Sequence, residues 1–412
     1  MNREMILSPN MEYFNGLIPQ FDDTIESVLR LFSSEDFKDV FRYDVLGERR
    51  LITKSLPWTK KVPKVFNSAD MDRLIAAMQK YGIQRSSNVT KALNIIFDNN
   101  RFNPFLEKIR QWKQEITPSG KFSVHTFFQD FLGVEDNEYS RYCSQLFFKG
   151  IIARNTYAAD FQYFIVLIGE QGIGKDTTLK KVIPDSDWIN GNYQFDSNSK
   201  RNVENAKGNI LCVLSDFNGF NDEEFAKFKA FISNPMPVER VAYGHQAVKH
   251  RLNCIFVATT NNETIVPDAA GNRRYLPLYC NADKRKFNPI FDLDSEVVKE
   301  LWVQALDIYD GNPTLHPGFV FDNAAVKERE KYFEQEPIDI AIDKLIKDNK
   351  LEPNQHYTVL DIFTLIASDL RLTNCNRSIS TKIGKALKKH EDLFIKIKYR
   401  NQNVYILNSS GN

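Results

Sequence analysis

The segment YFIVLIGEQGIGKDTTL, residues 163–179, decides the fold of this chain. Its first six residues are apolar or aromatic, as in a buried strand, and they lead directly into a loop with three glycines. Gly169, Gly172 and Gly174 let backbone N–H groups turn inward around phosphates, and Lys175, at the start of a helix, can reach the outer phosphates. Strand, loop and helix in this order predict a P-loop that binds a nucleoside triphosphate such as ATP.

The two residues after this lysine bear on magnesium binding. A P-loop usually has serine or threonine directly after the lysine, and its hydroxyl is a Mg²⁺ ligand. Here Asp176 stands in that position and Thr177 follows it. Carboxylate and hydroxyl oxygens both suit Mg²⁺, so we expect these two residues to be candidate ligands for the metal of bound ATP.

The composition indicates a globular protein with two or three domains. The chain has 412 residues, of which 42% are hydrophobic and 26% charged, enough to bury a large core. No apolar run approaches the roughly 18 residues that cross a bilayer, and the N-terminus lacks the order of a secretion signal. These features favour a cytoplasmic protein without a membrane partner. The five cysteines form no CxxC pair and the six histidines no HExxH spacing, so neither a disulfide framework nor a zinc site is expected.

Three hydrophobicity patterns divide the chain. Residues 1–115 show mostly helical periodicity and predict a helical N-terminal region. Residues 116–320 alternate short apolar runs with helical segments, which predicts an α/β ATPase domain; its candidate strands are YFIVLI, NILCVL, CIFVAT and RYLPL. Residues 336–412 contain three helical segments and then two extended runs around a turn at 400–402, as in a winged helix.

Polar residues follow the candidate strands of the ATPase domain. Asp216 comes after NILCVL, where a carboxylate can hold Mg²⁺ or polarise water, although a helix cap or turn would also explain it. The amide of Asn261, after CIFVATT, can orient the attacking water. Arg273 and Arg274 lie beside a Gly-Asn turn and can stabilise a phosphoryl group in flight, often from a neighbouring subunit. A surface salt bridge is the alternative for either arginine.

Two basic segments are candidates for DNA contact. VERVAYGHQAVKHRLN, residues 238–253, predicts a β-hairpin in which an aromatic side chain can stack on a base and cations can reach phosphates. Its candidate residues are Tyr243, His245, Lys249, His250 and Arg251. A solvated hairpin is the alternative. The C-terminal region offers Lys382, Lys385, Lys389, Lys396 and Lys398. A winged helix presents such residues to DNA, although many winged helices bind protein instead.

The order of these motifs resembles the virulence-associated protein E (VapE) family, superfamily 3-like replicative helicases of phages, plasmids and genomic islands. The resemblance spans roughly residues 69–310 and includes NRFNPFLEKIRQW, FLGVEDNEYSR, GEQGIGK, LSDFNGF, FKAFISNPMPVERVAYG, ATTN, DAAGNRRYLPL and LWVQAL. It implies an AAA+/superfamily 3-like core in a homo-oligomeric, hexameric ring, with Lys175, Asp216, Asn261 and Arg273 or Arg274 in the roles given above. The family usually has Ser or Thr after the lysine and a glutamate three positions before the acidic residue. Here those positions hold Asp176 and Val213.

The sequence therefore predicts a DNA-dependent ATPase and replicative DNA helicase of a phage or mobile element. It would use ATP and Mg²⁺, move along single-stranded or forked DNA, and rely on a primase or other replication proteins for priming. The alternative is a nucleotide-switched origin-binding or loading protein that does not unwind DNA. A P-loop kinase for a small metabolite is disfavoured, because the GNRR motif and a basic hairpin have no role in such an enzyme.

Overall fold

The computed structural model describes most of the chain. The described residues are 21–35, 37–157, 159–196, 199–240, 247–262, 274–316, 318–332, 337–390, 393–399 and 402–407. They fall into two compact units, one up to Lys331 and the other from Tyr332 onward. None of the described helices is long and apolar enough to span a bilayer.

The N-terminal part of the first unit is mixed α/β, whereas the sequence predicts a mainly helical region. Its elements are α1 (Ile25–Phe32), β1 (Phe41–Asp44), β2 (Arg49–Ile52), β3 (Lys64–Val65), α2 (Ser68–Gln79), α3 (Ser86–Asn99), β4 (Arg101–Phe102) and α4 (Pro104–Glu115). The strands form one sheet in the order β3-β2-β1-β4, in which β1 pairs antiparallel with β2 and parallel with β4. Because each strand has only two to four residues, none is long enough to show a period of two.

Aromatic rings form the core of this N-terminal part. The Phe41 ring on β1 lies 5.3 Å from that of Phe32 on α1 and 6.0 Å from that of Phe97 on α3. All three side chains are buried, and burying each contributes about 1.5–3 kcal/mol. The sheet and these helices are therefore held together mainly by hydrophobic packing.

Two helices, α5 (Phe127–Leu132) and α6 (Glu138–Thr156), precede the central sheet. α6 is buried along most of its length and also packs closely against the segment that leads into the sheet. A Cβ at Gly150 would lie 2.3 Å from the ring of Phe161, so this approach requires glycine. α4 joins the same core through Phe105, whose ring lies 4.9 Å from that of Trp302.

The rest of the first unit is an α/β layer structure, as the sequence predicts. Its elements are β5 (Phe164–Ile168), α7 (Lys175–Val182), β6 (Ile189–Asn190), α8 (Ser199–Ala206), β7 (Leu211–Leu214), α9 (Asp222–Ile232), β8 (Val238–Arg240), β9 (Ala247–Lys249), β10 (Ile255–Thr260), β11 (Tyr275–Tyr279), α10 (Ser295–Gly311) and α11 (Phe319–Glu330). β5, β7, β10 and β11 match the four predicted strands. β6 has only two residues and leaves no comparable pattern in the sequence.

The central sheet is parallel, with the strand order β11-β5-β10-β7-β6. Every residue of β5, β7 and β10 is buried, as expected for a parallel sheet covered on both faces. Thr260 pairs with Ile168, so β5 and β10 end at the same level. Residues that follow these strands therefore meet at one edge of the sheet, where open α/β sheets bind ligands.

The second unit has its own hydrophobic core. Its elements are α12 (Pro337–Lys347), β12 (His356–Thr358), α13 (Val359–Ile366), α14 (Arg377–Lys389), β13 (Phe394–Tyr399) and β14 (Gln402–Leu407). Ile342, Ile362 and Ile383, one from each helix, are fully buried together. The three helices and the β13–β14 pair are those that the sequence predicts, and β12 adds a third antiparallel strand next to β14.

Candidate functional site

The glycine-rich loop connects the end of β5 to the start of α7. A Cβ at Gly169 would lie 2.5 Å from the carbonyl oxygen of Cys280, which follows the neighbouring strand β11. Gly174 caps α7 with φ of 99°, a conformation that favours glycine. The chain can therefore turn tightly between strand and helix, and the N-terminus of α7, with its partial positive charge, meets the carboxyl edge of the sheet.

Lys175 is folded back onto this loop. Its Nζ donates to the carbonyl oxygens of Gly169, at 2.6 Å, and Glu170, at 2.8 Å. Burial lowers the pKa of the Lys175 ammonium, while Cys280 and the carboxylates of Asp176 and Asp216 act in the opposite direction. The carbonyl groups of Gly169 and Glu170 therefore solvate the ammonium group of Lys175. A phosphate could take their place as its hydrogen-bond partner.

Asp176 is held by two neighbouring strand ends. The hydroxyl of Thr259 on β10, which is buried, donates to Asp176 Oδ1 at 2.9 Å. The Ser215 hydroxyl, after β7, lies 3.3 Å from the same oxygen and 2.9 Å from the carbonyl oxygen of Gly191. The residue that replaces the usual hydroxyl thus fixes the first turn of α7 to the ends of β7 and β10.

Asp216 and Asn261 complete this edge of the sheet. Asp216 is exposed and has φ of 51°, in the left-handed region that Asp tolerates better than most residues and that is enriched at functional sites. The glycine-rich loop follows β5, and Asp216 follows β7. Because β10 lies between these two strands, the strand that carries Asp216 is not the immediate neighbour of β5. Asn261 follows β10 directly and is also exposed.

A cavity of about 160 Å³ brings residues from these segments together. It is lined by Gln171, Gly172, Gly174, Lys175, Asp176, Thr177, Asp216, Thr259, Thr260 and Asn261. These side chains supply one cation, two carboxylates, hydroxyls and amides. Carboxylate and hydroxyl oxygens are the donors that Mg²⁺ prefers, so Asp176, Thr177 and Asp216 fit that ion.

Arg274 lies at the opposite edge of the sheet. It directly precedes β11, and Tyr275 of β11 pairs with Phe164 at the start of β5. The five residues of β5 span about 17 Å at about 3.3 Å per residue, so Arg274 does not join the cavity at the glycine-rich loop. Its Nη2 lies 3.3 Å from Ser233 Oγ. Arg273 lies outside the described residues.

The structure contains the two strands of the predicted hairpin. β8 and β9 pair antiparallel, with Val238 opposite Lys249, and the Lys249 side chain is exposed. Tyr243 and His245 lie outside the described residues. The DNA-facing role expected for Lys249 stays a prediction.

The two basic residues that follow β9 are turned into the protein. His250 Nδ1 lies 3.1 Å from the carboxylate of Glu48, which also binds Lys207 at 2.6 Å. Arg251 donates from Nε and Nη2 to the carbonyl oxygen of Arg154, at 3.1 and 2.8 Å. These contacts fasten the base of the hairpin, and the DNA contact expected for the two residues stays a prediction.

Comparison with known proteins then gives the family. The profile of the Virulence-associated protein E-like domain matches residues 109–335, more than half of the chain. The chain belongs to the VapE-like domain family. Among curated proteins, no match was found.

Among solved structures, the chain is similar to two structures of the NrS-1 C-terminal region. The apo structure of residues 305–718 has a TM-score of 0.47 and 11% identity, covering 89% of this chain and 95% of that one. The A-form apo structure has a TM-score of 0.42 and 12% identity, covering 94% and 100%.

The VapE-like match ends at residue 335, before the C-terminal lysines. Lys382 and Lys385 are exposed on α14, on the side away from the buried Ile383 and Leu387. On β13, two further lysines point to one face of the strand because side chains alternate. They are Lys396, with Nζ 5.7 Å from the centre of the Tyr405 ring, and Lys398. The side chain of Lys389 lies outside the description.

Several contacts at the VapE-like site were not predicted. Ser215 and Thr259 hold Asp176, and Gln171 lines the cavity. A turn at residues 288–292 packs beside the loop, and its sequence NPIFD carries the Asn-Pro signal of a turn. The Asn-Pro signal indicates that a turn forms but not where it packs, because its place depends on the path of the chain after β11.

Proposed function

We propose that this VapE-like chain is an ATP-driven DNA motor, a DNA-dependent ATPase and replicative helicase of a phage or other mobile element. The observation that carries the proposal is the convergence of Lys175, Asp176, Asp216 and Asn261 at one cavity over the N-terminus of α7. The strand, loop and helix around Lys175 support a P-loop, and the parallel sheet supports an AAA+/superfamily 3-like core.

The nucleotide would bind through its phosphates. Backbone N–H groups of the loop and the N-terminus of α7 favour negative charge, and Lys175 would exchange its two carbonyl partners for phosphate oxygens. Mg²⁺, when bound by Asp176, Thr177 or Asp216, neutralises charge on the phosphates. Asn261 would orient the attacking water, and Asp216 would accept its hydrogen bond or proton.

Assembly would complete this site. Arg274 is about the length of β5 away from the loop of its own chain, so a catalytic role requires a second copy. A homo-oligomeric ring, hexameric as in the helicases that the family resembles, would bring Arg273 or Arg274 of one subunit to the phosphates of the next. An arginine supplied in this way stabilises charge in the transition state.

DNA would pass the tip of the β8–β9 hairpin. Tyr243 and His245 lie between β8 and β9 in the sequence, and the side chain of Lys249, at the end of β9, is exposed. The C-terminal unit, with three helices, a three-stranded antiparallel sheet and exposed lysines, supports a winged helix as a second DNA contact. Single-stranded or forked DNA would be the substrate, and a primase or other replication protein would provide primers.

A second candidate function is a nucleotide-switched origin-binding or loading protein. The contact of Asp176 with Thr259 favours it, because a carboxylate engaged at 2.9 Å by a buried hydroxyl is a poorer metal ligand than a free side chain. Bound nucleotide would then control assembly without turnover.

Strand displacement on a forked duplex tests the two candidates. The motor account predicts unwinding that requires ATP and Mg²⁺ and is lost in Lys175→Ala. Nucleotide-dependent DNA binding with no strand displacement and no ATP turnover would favour the switch. Binding of the wild-type chain to neither nucleotide nor DNA would contradict both.

A further inference from the structure

A turn beside the glycine-rich loop holds two apolar side chains in solvent. Ile290 is 56% exposed and Phe291 77%, the highest value among the large apolar side chains described as exposed. The turn is rigid. Asn288 accepts two hydrogen bonds, through Oδ1 from Ile290 N at 3.0 Å and through its backbone carbonyl oxygen from Asp292 N at 2.8 Å. In return, Asn288 N donates to Asp292 Oδ2 at 2.7 Å. The phenyl ring therefore projects into solvent from a hydrogen-bonded turn.

This turn packs along α7. A Cβ at Gly174 would lie 3.1 Å from Pro289 Cγ, so the turn reaches the N-cap of the helix. Lys181 Nζ donates to the carbonyl oxygen of Ile290 at 2.7 Å, near the other end of the helix. Two contacts on the same helix fix the position of the turn relative to the phosphate-binding loop.

The direction of a bound nucleotide follows from this arrangement. Gly174, Thr177 and Lys181 are spaced by three and four residues and share one face of α7, and Thr177 lines the cavity. The groups proposed for hydrolysis, Asp216 and Asn261, lie on the side of β10 and β7. The turn follows β11, on the other side of β5. A triphosphate whose outer phosphate faces Asp216 therefore directs its nucleoside over Thr177 toward the turn.

We infer that Phe291, supported by Ile290, is the platform on which the nucleobase stacks. The inference rests on the proposed function, because the phosphates must occupy the loop for the base to reach the turn. Every base has a π-face that stacks on an aromatic ring, and a purine covers more of the ring than a pyrimidine. Stacking thus favours a purine nucleoside triphosphate as the ligand.

The test separates the base from the phosphates. Binding of ATP and of inorganic tripolyphosphate is measured by isothermal titration calorimetry, with Mg²⁺, for the full chain and for Phe291→Ala. Loss of stacking weakens ATP binding by about tenfold, and tripolyphosphate binding stays unchanged. In Phe291→Trp, ATP quenches the added indole fluorescence while tripolyphosphate does not. Ile95→Ala, which removes another exposed apolar side chain, is the matched control and binds ATP like the wild type.

Four outcomes would overturn the inference. Equal affinity of Phe291→Ala and the wild type for ATP would remove Phe291 from the base site. Equal weakening of ATP and tripolyphosphate would mean that the turn only supports the loop. Loss of self-association, with ATP affinity of the monomer unchanged, would make the turn an interface between subunits. If the wild-type chain binds neither ligand, the proposed function fails and this inference fails with it.

Discussion

The hydroxyl of Thr259 donates to the carboxylate of Asp176 across 2.9 Å, joining the end of β10 to the first turn of α7. Asp176 stands where phosphate-binding loops usually have a hydroxyl residue. Its carboxylate therefore puts a negative charge beside the proposed triphosphate. At an effective dielectric constant of 20, two like charges at about 4 Å repel by about 4 kcal/mol unless a metal or Lys175 offsets the charge. This charge predicts slow hydrolysis.

Replacing Asp176 by threonine is therefore expected to accelerate ATP hydrolysis. Asp176→Thr removes the charge and restores a neutral hydroxyl ligand, and a barrier lower by about 1.4 kcal/mol gives about tenfold faster turnover. Phosphate release under saturating ATP and Mg²⁺ measures the effect. Asp176→Asn is the control, because it removes the charge and keeps an oxygen for Thr259 but restores no hydroxyl, so it should gain less turnover than Asp176→Thr. A threonine variant no faster than the wild type would contradict this reading.

Arg274 should act across a subunit boundary. A mixture of Arg274→Ala and Lys175→Ala chains should regain part of the turnover that each lacks alone, since a mixed interface joins an intact loop with an intact arginine. ATP hydrolysis by the mixture measures this. Replacing the second chain by the double variant should abolish the gain. A protein that stays monomeric with nucleotide and DNA would contradict the prediction.

Lys249 and His250 should affect DNA binding differently. Lys249 is exposed, so Lys249→Ala should lower the slope of log affinity against log salt by about 0.7 for single-stranded DNA, the value of one phosphate contact. His250 instead pairs with Glu48, so His250→Ala should leave the slope unchanged and lower the unfolding midpoint. Fluorescence anisotropy at several salt concentrations gives the slopes. Equal slopes for wild type and Lys249→Ala would assign this lysine to a solvated hairpin.

Gly169 should contribute to the stability of the fold as well as to nucleotide binding. A Cβ there would lie 2.5 Å from the Cys280 carbonyl oxygen, so Gly169→Ala must push β5 and β11 apart, at a cost of about 1–3 kcal/mol. Gly311→Ala, at the end of α10, meets nothing within 4 Å and should be neutral or slightly stabilising. Urea unfolding measures both. A Gly169→Ala midpoint equal to that of the wild type would contradict the close approach.

The sequence predicts features that depend on neighbouring residues along the chain. β5, β7, β10 and β11 consist mainly of apolar residues, and the glycines with Lys175 define their loop locally. The N-terminal sheet could not be predicted in this way. Its strands have two to four residues, and β1 pairs with β4 over a separation that no local pattern encodes.

The positions of the arginines and the hairpin residues required the tertiary structure, although part of the signal was available. Arg274 precedes its strand while Gly169 follows a parallel one, which already puts them at opposite sheet edges. The inward turn of His250 could not be predicted, because its partner Glu48 lies in a distant segment and no pattern links them. The features that could not be predicted from the sequence are thus mainly side-chain contacts between distant segments.

The most direct test of the motor account is ATP turnover by the full chain, with Mg²⁺, in the presence and absence of single-stranded DNA. The account predicts slow hydrolysis that DNA stimulates and that Lys175→Ala abolishes, because the phosphates would lose the ammonium group of Lys175. Removal of Mg²⁺ with EDTA should weaken ATP binding as well as stop turnover, since the charge of Asp176 would then be unopposed. ATP binding that is equally tight in EDTA, with no hydrolysis even when DNA is present, would contradict the account.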